Sequence, residues 1–94
     1  MNKMQQEFFE HLARIQENCV EICMLQHKCS DEDVKKMLYD VTYEVVTEIM
    51  EMIDGYSGYS DEKYDIVNLN TGQCLKENPF IELHDQTEGY LRYE

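Results

Sequence analysis

Tryptophan is absent from this 94-residue chain, proline occurs once and glycine only four times. Gly55, Gly58, Gly72 and Gly89 form neither a Walker nor a dinucleotide pattern, and Asp54-Gly55-Tyr56-Ser57-Gly58 lacks the alternating carboxylates of a calcium loop. Basic side chains are also few: 8 Lys and Arg against 20 Asp and Glu leave a net charge of −12, most of it after Ser30. A field of that sign repels phosphate backbones and anionic lipid, whose binding depends on Lys and Arg displacing counterions. Neither direct nucleic-acid binding nor a membrane partner is expected. Long apolar runs are missing too. The longest is the four residues Ile22 to Leu25, far below the ~20 of a spanning helix and too short for a leader peptide. A reducing cytoplasm is the expected setting, with Cys19, Cys23, Cys29 and Cys74 as thiols.

What remains is enough to fold. Hydrophobic residues make up 43% of the chain and charged residues 30%, an ordinary globular balance, and the length suits one modest core. A single domain over 1–94 is expected, without internal repeats.

Between Met4 and about Lys28 there is no helix breaker, and Phe8, Leu12, Ile15, Cys19 and Ile22 recur at steps of three and four. That spacing predicts a helix over about 4–28 with these residues as its packing seam. Ser30 then precedes Asp31, Glu32 and Asp33. A hydroxyl cap followed by carboxylates suits a helix start, where free N–H groups and the positive dipole end favour them. The second helix is expected over about 31–53, stopped by Asp54 and Gly55. It carries two adjoining apolar stripes, Val34, Leu38, Val41, Val45, Ile49, Met52 and Tyr39, Tyr43, Val46, Met50, Ile53, opposite an acidic face of Asp40, Glu44, Glu48 and Glu51. The first helix shields only one such stripe. The rest of the chain or a second subunit must cover the other.

A polar loop is expected over 54–63. Tyr64 to Leu69 alternates loosely and is followed by Asn70-Thr71-Gly72 and Gln73 to Lys76, which predicts a short β-hairpin over about 64–76. Asn78-Pro79 suits a helix start, so 78–94 is expected as a short helix or irregular segment packed on the second helix. The predicted fold is mainly α with a small β part (α+β): an antiparallel two-helix hairpin, a β-hairpin and a C-terminal segment.

Chemistry is thinly signalled. Cys19, Cys23, His27 and Cys29 have ligand types that zinc accepts, the first three one helical turn apart and Cys29 just after the helix end, but the pattern is not a C-x-x-C knuckle, and Cys19 and Cys23 project into the seam, where a thiol packs as a small hydrophobe. His84-Asp85 lacks the further histidines of a metal hydrolase, and no serine or cysteine has a nucleophile's surroundings. No enzyme activity, cofactor or bound metal is expected. The residues point instead to a non-catalytic acidic module with a protein partner, self-associating as a homodimer through the second helix. Tyr39, Tyr43 and Met50 are its expected anchors, with Asp40, Glu44, Glu48 and Glu51 as its charged contacts. Two alternatives stand beside it: an acidic inhibitor or immunity-like protein that fills the basic cleft of a nucleic-acid enzyme through the same four carboxylates, and a zinc or redox sensor built on the cysteine set.

Overall fold

The computed structural model describes residues 1–94 and contains three helices, α1 (Lys3–Gln26), α2 (Glu32–Asp54) and α3 (His84–Tyr90), with 57% of the chain helical and no β-strand. α1 opens on a reciprocal cap: Asn2 accepts from the Gln5 N–H at 2.8 Å while the Gln5 side chain accepts from the Asn2 N–H at 2.9 Å. α2 is capped by Asp31 and not by Ser30. Its carboxylate accepts from the Asp33 N–H at 2.8 Å, and ionised oxygen is the stronger acceptor at the positive end of a helix. Gly55 ends α2 with φ +90°, and a Cβ there would sit 3.0 Å from the Glu62 carbonyl oxygen. Only glycine meets both demands without strain.

α1 and α2 run antiparallel, with the Glu21–Lys35 ion pair near one end and Phe9 and Met50 in one cluster near the other. The packed face of α1 is Gln5, Phe9, Gln16, Val20 and Met24, displaced around the helix from the predicted seam. Tyr39, Met50 and Asp54 are the buried residues of α2. Two apolar clusters result. The larger joins Phe9, Met50, Leu75, Ile81 and Leu83, and the smaller joins Val20, Met24 and Tyr39. Each such side chain stabilises the fold by about 1.5–3 kcal/mol when fully buried.

The predicted β-hairpin over 64–76 does not form. One isolated antiparallel bridge, Val67 with Cys74, with the Asn68 N–H on the Gln73 carbonyl and the Leu75 N–H on that of Ile66, is all the pairing present, and other backbone groups in and beside this stretch find side-chain partners in place of a ladder. Asp65 accepts from the Ile66 and Lys76 N–H groups, Asn68 accepts from those of Asn70 and Thr71, and the Gln5 amide donates to the carbonyls of Leu75 and Pro79 at 2.9 and 2.7 Å. The alternation is also too weak to define a buried face, since Val67 and Leu69 both face solvent. The protein is therefore all-helical with an irregular strap and is not α+β. The last helix starts at His84, beyond the predicted Asn78-Pro79.

Candidate interaction surface

The strap, α3 and the C-terminal residues cover one side of the α1/α2 pair, and polar groups tie them down. Gln16 is 3% exposed, and its amide donates to the carbonyls of Tyr39 and Arg92 and to the Thr42 hydroxyl while accepting from the Arg92 N–H at 2.8 Å. Its two N–H groups and its oxygen thereby all have partners, which makes burial of a glutamine tolerable. Thr47 and Thr87 join α2 to α3 through their hydroxyls at 2.9 Å.

Asp54 is fully buried at the end of α2, and Lys76, 4% exposed, stands 2.9 Å away from its Oδ1. The other carboxylate oxygen accepts from the His84 N–H at 2.9 Å and its Nδ1 at 2.7 Å. Burial pushes the Asp54 carboxyl upward, but the His84 bonds and the Lys76 ammonium outweigh it and hold the group below the usual carboxylate range. Asp54, Glu82 and His84 are the only three side chains of ligand type whose atoms converge within 4.8 Å. The Lys76 ammonium, 3.9 Å from Glu82 as well, already supplies the positive charge there. This constellation is a structural clasp between the end of α2, the strap and α3.

The sequence-predicted anchors fall on the covered side. Tyr39 is 2% and Met50 5% exposed. Tyr43 is half-buried with its ring 4.6 Å from that of Tyr93, and the Arg92 guanidinium lies 4.0 Å over Tyr39. The stripe expected to await a partner is therefore occupied by the chain's own C-terminal residues. Among the acidic residues, Glu44 and Glu48 are exposed, Glu51 is half-buried, and Asp40 accepts from the Glu94 N–H at 2.6 Å. Cys19, Cys23 and Cys29 are unpaired thiols and do not converge with His27 into a ligand set.

The bare surface is the other stripe. Leu12, Ile15 and Cys19 of α1 and Val41, Val45 and Val46 of α2 line a groove of about 190 Å³, floored by Gln16 and Thr42. Ile15 is 44% and Val45 52% exposed, and Ile22, Val41 and Ile49 are about as open. Beyond Val45 the face continues over Ile49 and Met52 into a second hollow bounded by Glu48 and Ser57. Periodicity identified these residues as a packing seam. It did not signal that Gln5 and Gln16, by bonding the strap and C-terminal backbone, would turn α1 so that Ile15, Cys19 and Ile22 face outward while Phe8 and Leu12 stay packed against the larger cluster. No charged side chain lines the groove. Compared with protein-family models, curated proteins and solved structures, the chain matches none.

Proposed function

We propose that the protein is a non-catalytic interaction module that self-associates through the bare face of the α1/α2 pair. One observation carries this reading: a continuous, uncharged apolar groove runs between two long helices with its aliphatic side chains about half exposed. Contiguous apolar surface of this kind marks association sites on soluble domains. The residues responsible are Leu12, Ile15, Val41, Val45 and Ile49, in place of the Tyr39, Tyr43 and Met50 set. The inhibitor alternative retains Glu44 and Glu48 as free charges but has Asp40 engaged by the C-terminus, so the geometry favours self-association.

Sedimentation or light scattering at tens of micromolar protein tests the reading. The native chain is expected as a dimer, and Val45→Asp as a monomer of unchanged helix content, because Val45 contributes little to the monomer's core. A native chain that stays monomeric at those concentrations overturns it.

A further inference from the structure

We infer that the second copy docks with α1 of one subunit on α2 of the other, about a two-fold axis parallel to the helices, and that Glu44 pairs with the Arg14 of the facing copy. This inference rests on the self-association reading and adds an orientation to it. The groove itself is uncharged, so the charges on its two edges set the pairing.

At about 100° per residue, Glu48 follows the apolar stripe around α2 and Glu44 lies further out. On α1, His11 and Asn18 border the stripe and Arg14 lies further out. All five side chains are exposed. One edge of the groove is thus acidic, while the other carries a cation, an imidazole and an amide, its own Glu7 being held by Lys3 at 3.7 Å. Height along the pair is fixed by Gln16, whose amide donates to Thr42 at 3.0 Å. Arg14 lies two residues before Gln16 and Glu44 two after Thr42. In antiparallel helices both steps run the same way by about 3 Å, so Arg14 and Glu44 share a level. His11 and Glu48 agree to within about 2 Å by the same count.

A two-fold axis parallel to the helices preserves every height and exchanges the edges. It sets α1 on α2 and brings Glu44 to the facing Arg14, and Glu48 to the facing His11, twice per dimer. The perpendicular two-fold would set α2 on α2, with the acidic edges against each other in a molecule already carrying −12. Like charges across an interface oppose docking and opposite charges fix register. The parallel axis is the arrangement that the edges select.

Charge exchange tests this. Dimer dissociation constants are measured by sedimentation for the native chain, Arg14→Glu, Glu44→Arg and the double variant, with helix content monitored by circular dichroism. Each single reversal is expected to weaken the dimer about tenfold, since it replaces attraction by repulsion at two symmetric places. The double variant is expected to return to within a few-fold of native. Glu44→Arg is the sharper case because it lowers the net negative charge, so general repulsion alone would make that dimer tighter. Unchanged or tighter association in Glu44→Arg overturns the orientation while leaving the dimer standing. A monomeric native chain overturns the parent reading and this one together.

Discussion

The two sides of the α1/α2 pair reverse the usual distribution of side chains. The covered side holds Gln5, Gln16, Asp54, Lys76 and Thr87 out of solvent, whereas the open side presents Ile15, Ile22, Val41, Val45 and Ile49 to it. Polar groups are costly to bury unless they are satisfied, and these five find partners on α2, the strap, α3 and the C-terminal residues, whereas the buried Tyr39 hydroxyl has none. A segment with a single bridge leaves backbone groups in need of partners, and Gln5 of α1 together with the strap's own Asp65 and Asn68 provides them. The open side has no such segment over it. Its aliphatic side chains are only about half covered within the monomer, which is the ground for the association proposed above.

The contrast should appear in stability measurements, with the largest effect at the clasp. Asp54→Ala leaves the buried Lys76 ammonium with only the more distant Glu82, at 3.9 Å, and denaturant unfolding is expected to register a loss of about 3 kcal/mol. Asp54→Leu combined with Lys76→Met should lose less than the sum of the single changes, because neither charge is then left alone. Gln16→Met keeps the volume but removes the partners of the Tyr39 and Arg92 backbone groups, and about 1–3 kcal/mol is expected to disappear. An equal loss from Ile15→Thr in monomer conditions would erase the distinction between the two sides.

The smallest effect is the acid dependence of the clasp. The Asp54 carboxyl is held below its ordinary value in the folded chain, so the folded state binds that proton less readily than the unfolded state does. Its contribution to stability is fully present above the unfolded pKa of about 4 and is lost as pH falls through the lower folded value. Thermal midpoints recorded below pH 4 should fall less steeply for Asp54→Asn than for the native chain. Identical slopes would mean that the clasp is electrostatically neutral.

Apolar spacing made α1 readable, and cap and stop signals made α2 readable, each within a residue or two, and Gly55 terminates α2 as its position beside Asp54 predicts, whereas the Asn2 cap of α1 was not read from the sequence. The two stripes on α2 were equally legible. Which stripe would be covered was not, because the apolar pattern alone favours Val41, Val45 and Ile49 as strongly as Tyr39, Tyr43 and Met50. The β-hairpin failed for a related reason: alternation describes a strand's faces but not whether Asp65, Asn68 and Gln5 will take its backbone bonds first.

The residues by themselves determined two antiparallel amphipathic helices, a surplus of apolar surface on the second, and an acidic edge beside it, since these follow from spacing, capping and charge along a local backbone. Tertiary structure alone decided that the tyrosine stripe is sealed and the valine stripe left open. That choice depends on Gln16 meeting Arg92 and Lys76 meeting Asp54, contacts between residues distant in the chain that no local periodicity encodes.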